Sequence, residues 1–279
     1  KVDRIKYKSD TITEINLSPN KKDLPRLVYK FFPNESQMIN AYKLGQINQM
    51  SVTKKNLADV FTTWKNTNVE KTIDYSNLLT LFFNYKNPFF AEKEIRSAVK
   101  MSMDQTVFKE LGVTAKSSIP PGSWAYNEDL KDPVYDPDLA KKIVKKYREA
   151  TDSAKLNFNT FYDYLDIASV INENLNEIGL PTNLNITSFS NTKNFDLMLA
   201  FLKIPEDPDQ YYYWHSTQNL SSLTGYRNLK VDKLLEDGRR ESFDQKDRLK
   251  YYLDLQKNLD EDSAAVFIYF PYIYTISRK

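Results

Sequence analysis

The chain has 279 residues, 41% of them hydrophobic, with a formal net charge of +2, one histidine and no cysteine. That is enough apolar material for one large domain or two ordinary ones. It excludes disulfides, thiol nucleophiles and cysteine-ligated zinc, and the balanced charge argues against a nucleic-acid partner. With only 6 glycines there is no GxGxxG or GxxxxGK phosphate cradle. No apolar run is long enough to cross a membrane, and the opening "KVDRIKYKSD" lacks the core of a signal peptide.

In chain order, "PRLVYKF" (25–31) alternates as a strand does. "NESQMINAYKLG" follows with Asn34 as cap and Gly45 as left-handed stop, and "QINQMSV" resumes strand character. This predicts a β-α-β unit of a parallel α/β sheet. "LLTLFFNY" (78–85) reads as a dense apolar strand, and Ala91 to Phe108 as one helix. Residues 117–137, rich in Pro, Gly, Asn and Asp around an isolated Trp124, predict a long irregular connection. Asp136 and Pro137 open the next helix. "KLNFNTF" is a strand, 164–178 a helix stopped by Gly179, and "NLNITSF" and "FDLMLAFL" two further strands. Two amphipathic helices, 228–240 and 244–262, precede "AAVFIYFPYIYTISR", a strand expected to break at Pro271.

The stretch "IPEDPDQYYYWHST" (204–217) collects three carboxylates, three tyrosines, a tryptophan and the lone His215. A hydrolytic site would need His215 to serve a nucleophile, and Ser216, its chain neighbour in what reads as extended backbone, is badly placed for that. No GxSxG elbow occurs. The acids lack the spacing of a calcium loop, and flanked by Pro205 and Pro208 they fit a turn whose aspartates bond their own backbone. The rings divide between core packing and the wall of a ligand cleft, which open α/β sheets place beyond strand C-termini.

The succession "LFFNYKNPFFAEKEIRSAVKMSMDQTVF", "IPPGSWAYNEDL", "YDPDLAKKIV", "DPDQYYYWHST", "GYRNLKVDKLLEDGRR" and "RLKYYLDLQKNLDEDSAAVFIYFP" resembles the C-terminal two-thirds of the family 5 extracellular solute-binding proteins, the peptide- and nickel-binding receptors of ABC importers. Arg96, Ala98 and Asp104 fit that family's Arg-x-Ala helix and the Asp that closes it. Tyr226, Asn228, Val231 and Asp232 fit its Tyr-x-Asn and Val-Asp pattern.

The resemblance implies an α/β, two-lobed periplasmic-binding-protein-like fold (type II), present as a fragment lacking the N-terminal part and the C-terminal end. Residues 1–82 would be part of lobe I, 83–268 lobe II, and 269–279 a return strand to lobe I. The implied protein is an extracytoplasmic, non-enzymatic receptor, possessing no cofactor. It would capture a peptide or similar small polar solute between its lobes for an ABC permease and its ATPase, and meet a membrane only through an anchor absent from this chain. Phe201, Tyr211, Trp214 and His215 are the first candidates for ligand contact, followed by Trp124, Asn84 and Tyr226. Alternatives are a hydrolase using His215 and a non-transporting sensory or structural receptor of the same fold. Peptide-binding members carry Gly-Trp-x-x-Asp before the Asp-Pro-Asp turn, the first Asp holding the ligand's ammonium. Here Phe201 falls at the Trp position and Ile204 at that Asp, with Glu206 the nearest substitute.

Overall fold

The computed structural model describes residues 1–148, 155–188, 194–240 and 244–279. The chain divides into two compact units, one of residues 1–72 with 272–279 and one of residues 73–271.

The smaller unit opens with strands β1 (Val2–Lys8), β2 (Thr11–Leu17) and β3 (Leu27–Lys30), joined as an antiparallel sheet. Ser9, at φ 53°, makes the turn between the first two. Helix α1 (Glu35–Lys43) is capped by Asn34, whose Oδ1 accepts the Gln37 N–H at 3.0 Å, and Gly45 follows it at φ 73°. Strand β4 (Gln49–Val52), helix α2 (Lys55–Thr62) and strand β5 (Thr67–Ile73) complete the run. The expected elements exist, but not as a parallel β-α-β unit. β3 pairs with β2, while β4 pairs antiparallel with residues 274–277. A partner more than 200 residues away lies beyond any local pattern. Tyr42, Met50, Val52, Ala58, Phe61, Tyr274 and Ile276 form the core of this unit.

The larger unit has a central sheet with helices on both faces. Strand β6 (Asn77–Phe83) leads to α3 (Pro88–Ala91), α4 (Lys93–Met101), strand β7 (Gly112–Thr114) and, after a long loop, α5 (Pro137–Arg148). Next come β8 (Leu156–Thr160), α6 (Leu165–Glu177), β9 (Thr182–Ile186) and β10 (Leu197–Lys203). The end of the predicted "NLNITSF" strand, Phe189, lies outside the described residues. Helices α7 (Tyr211–Trp214), α8 (Asn219–Thr224), α9 (Leu229–Arg240) and α10 (Gln245–Glu261) precede β11 (Ala265–Arg278).

β6 lies between β11 and β10, antiparallel to both; β8 then joins β10, and β9 joins β8, in parallel. The period-2 alternation of β10 sends Leu197, Leu199 and Phe201 to one core and Met198, Ala200 and Leu202 to the other. β11 does not break at Pro271: that residue pairs with Gly112, and its carbonyl accepts the Asp74 N–H at 2.8 Å. Proline lacks only a donor, and this position uses the acceptor.

The helix expected from Ala91 to Phe108 is instead three pieces, because Glu92 is extended (φ −74°, ψ 120°) and Asp104 caps a separate 3₁₀ turn, Gln105–Phe108. The break leaves the carbonyls of Phe90 and Ala91 free, and both accept Arg96 Nη1–H at 2.9 and 2.8 Å. The same guanidinium, 2% exposed, bonds Ser263 O, Asp262 O and Asp262 Oδ1, and lies 4.5 Å from the centroid of Tyr85. All five donors of the side chain are thereby used. A lysine offers three, so Arg96→Lys leaves at least two of these acceptors, all buried or part-buried, without the bond they now accept. Urea denaturation should show a loss of about 3 kcal/mol; a change below about 0.5 kcal/mol would contradict this role for the clamp.

Candidate functional site

β10 delivers the chain, at its C-terminal end, to the turn 205–210. Asp207 Oδ1 accepts the Asp209 N–H at 2.9 Å, and Asp209 Oδ1 accepts the Tyr211 N–H at 3.0 Å. These are the backbone-bonding aspartates the prolines suggest. Each carboxylate also holds an arginine that sequence spacing does not reveal. Arg248 of α10 grips Asp207 through two bonds of 2.8 and 2.6 Å, and Arg239 Nε of α9 reaches Asp209 at 2.6 Å. The Arg248 hydrogen bonds hold the Asp207 carboxyl below its ordinary range.

Beyond the turn the chain makes one helical turn, α7, rather than a strand. Its residue pattern is aromatic throughout, so only the Asp209 bond to the Tyr211 N–H and the i,i+4 bonds distinguish it. Tyr211 stacks on His215 with centroids 4.1 Å apart and planes 19° from parallel, while the Arg239 guanidinium lies 4.1 Å from the same ring centre. The faces of Tyr211 are thus engaged within the protein, leaving its hydroxyl edge. His215 is buried, with Nδ1 2.8 Å from Thr217 Oγ1 and Nε2 3.3 Å from Glu236. Ser216 Oγ donates to Asp232 at 2.6 Å, not to the imidazole. The two residues a hydrolase would have to couple are therefore each bonded elsewhere.

Trp214 is 2% exposed; its indole N–H donates to Gln210 Oε1 at 3.0 Å, and its ring meets Tyr226 and Phe267 edge-on at 5.9 Å. Tyr226 is equally enclosed, and burial, then the Asp262 charge, push its phenol well above the ordinary value. Trp124, half-buried, stands edge-on to Tyr252 at 5.8 Å with Arg248 at 5.4 Å. Phe201, also half-buried, packs edge-on to Tyr164 at 5.0 Å on the opposite face of the sheet from Trp214.

Asn84 is not part of this group. It follows the C-terminal end of β6, which is antiparallel to β10, so the two strand ends lie roughly 20 Å apart by strand rise. There its Nδ2 donates to Phe195 O at 2.8 Å beside an open groove of ≈ 480 Å³. Placing two residues at strand ends does not place them together; the direction of pairing decides.

Sequence reasoning missed Gln210 and Gln256, both fully enclosed. Gln256 Oε1 accepts from Ser117 Oγ and the Asn127 N–H, and its Nε2 donates to Ala125 O and Tyr252 O, at 2.8–3.1 Å. Gln210 Nε2 donates to Ser118 O at 2.7 Å, and its Oε1 accepts from Ser118 Oγ. These amides fix the loop that carries Trp124. A glutamine breaking an apolar stripe on α10 was the available signal. Among the described residues no three histidine or acidic groups gather as a metal site, and no helix is long and apolar enough to cross a membrane.

Solved structures share this architecture: the chain superposes on the oligopeptide-binding protein AppA from Bacillus subtilis in complex with a nonapeptide (TM-score 0.80, 23% identity, 99% of this chain and 61% of that one). It superposes equally on NikZ from Campylobacter jejuni in complex with Ni(L-His) (TM-score 0.81, 20% identity, 96% and 60%). The fold is that of the two-lobed periplasmic peptide-binding proteins. Residues 6–222 match the bacterial extracellular solute-binding proteins, family 5 middle region, and the chain belongs to this family of binding proteins. A curated relative, the probable di/tripeptide-binding protein 5 of Pseudomonas aeruginosa (strain UCBPP-PA14), is 22% identical over 98% of this chain and 56% of its own length. The chain thus spans about half the length of the curated relatives it matches.

The Asp207–Arg248 pair carries a testable sign. A carboxyl whose folded-state pKa is lowered contributes stability at neutral pH and loses it as pH falls through that value. Asp207→Asn should therefore melt below the wild type at pH 7. Thermal scans toward about pH 3 should bring the two curves together; a constant gap would mean the ion pair contributes nothing.

Proposed function

We propose that the protein is the substrate-binding subunit of an ABC importer, capturing an extracellular peptide or similar small polar solute and delivering it to a permease. The observation that carries this reading is a set of half-buried rings near the C-terminal end of β10, Trp124 and Tyr213 (with Tyr212 more exposed) on one face of the sheet and Phe201 on the other. Partly exposed rings fixed by packing suit a solute bound without chemistry. Relatives named for di- and tripeptides support a peptide ligand. The bonding of His215 and Ser216 to other partners supports a protein that is not an enzyme. We place it outside the cytoplasm, with unit 73–271 as lobe II and unit 1–72 with 272–279 as part of lobe I.

The peptide's ammonium group is not held from position 204. Ile204 is 7% exposed within the apolar core beside Leu78, Leu202 and Trp214. Asp207 and Asp209 are neutralised by arginines, and Glu206 is exposed. The full-length protein should bind a tripeptide and its N-acetylated form with dissociation constants within about threefold of each other by calorimetry. A preference of more than about thirtyfold for the free amine would overturn this mode of recognition. Failure of any member of a random di- to pentapeptide library to bind would overturn the peptide reading itself.

A further inference from the structure

The loop 117–127 has no regular secondary structure, yet it carries Trp124. Two buried amides hold it, and they differ in what they connect. Gln256 uses its full capacity, two acceptor and two donor bonds, on the loop and on its own helix. Its work is internal to the packing of loop on α10. Gln210, 0% exposed, bridges two separate segments of the aromatic fringe. On one side it binds Ser118 twice, through hydroxyl and carbonyl; on the other its Oε1 takes the indole N–H of Trp214, one helical turn on in α7. A shift of the loop therefore cannot occur without stripping a buried amide of bonds in an enclosed site, or dragging α7 along. Buried polar groups of this kind cost far more unbonded than they contribute bonded, which makes the arrangement discrete rather than adjustable.

We propose that Gln210 is a positioning residue for ligand binding: it touches no ligand, but sets the register of the Trp124 loop against α7 through Ser118. The proposal rests on the reading of Trp124 as part of the ligand wall. Neighbouring contacts point the same way. Arg248 lies against Trp124 and grips Asp207, three residues before Gln210, so the turn that begins α7 and the loop are braced at a second point. Ion pair and amides together leave Trp124 one setting, the pre-organisation that lowers the entropy cost of binding.

The test uses full-length protein labelled with 5-fluorotryptophan and a mixed tripeptide library as probe. Ser118→Ala removes one loop-side donor to Gln210 and leaves the amide in place; Gln210→Leu removes the bridge. Both should shift or broaden the ¹⁹F resonance of Trp124 in the free protein and leave that of Trp64 unmoved. Both should weaken tripeptide binding by about three- to tenfold, the equivalent of one lost hydrogen bond, with the denaturation midpoint of Ser118→Ala near wild type. A merely structural amide would lower the midpoint without moving affinity; unchanged affinity in Ser118→Ala and in any folded Gln210→Leu overturns the proposal. Trp124→Ala separates the two levels. If it weakens binding while Ser118→Ala does not, positioning alone fails. If Trp124→Ala binds as wild type, the wall reading fails and the proposal falls with it.

Discussion

The guanidinium of Arg96 sits inside the larger unit with every N–H group bonded, and three parts of the chain meet on it: the end of α3, the start of α4, and the turn from α10 into β11. That turn contains Ser263 at φ 46°, a conformation a non-glycine residue adopts only when its surroundings dictate it. The surroundings here are the guanidinium on the Ser263 carbonyl and Ser97 on its hydroxyl. From this point β11 enters the sheet beside β6, and the two cores on either face of that sheet follow from its position. A buried charge is expensive unless its partners are complete. Completeness is what the interrupted helix provides, since an unbroken helix would have consumed the Phe90 and Ala91 carbonyls itself.

Many helix boundaries in both units were legible in the sequence because their signals are local. Asn34, Asp136, Asn228 and Asp244 each accept a backbone N–H at the start of the helix they precede. Gly45 and Gly179 take positive φ at the ends they were assigned. What escaped was pairing. Neither the turn at Ser9 nor the antiparallel docking of β4 on β11 has a pattern that names its partner, so a β-α-β unit was expected where two different sheets stand. The same blindness joined Asn84 to the aromatic fringe from the far end of an antiparallel strand. Asp209 and Asp207 read correctly as turn-formers; their arginines, 30 and 41 residues further on, did not.

The residues that carried the family resemblance have direct physical duties in the frame. Arg96 is the clamp, Asp104 caps a 3₁₀ turn, Asn228 caps α9, Val231 is core, and Asp232 holds both the N–H and the hydroxyl of Ser216. Tyr226 fills the space between Tyr85 and Trp214. A pattern made of caps, clamps and core rings specifies how this unit is built and is silent about any ligand. The half-buried rings and the loop carry none of those duties, and Ile204 belongs to the core.

The inner bonds on the loop bearing Trp124 are made by amides and hydroxyls, in a chain without a single thiol. None of those groups gains or loses a proton in ordinary media, and none can be oxidised to a disulfide or reduced from one. Acid reaches the outer brace first, by neutralising Asp207 and freeing Arg248 beside the indole. The inner pair of glutamines is indifferent to it. The amide bonds of this loop thereby hold one geometry while acidity and redox state vary around them.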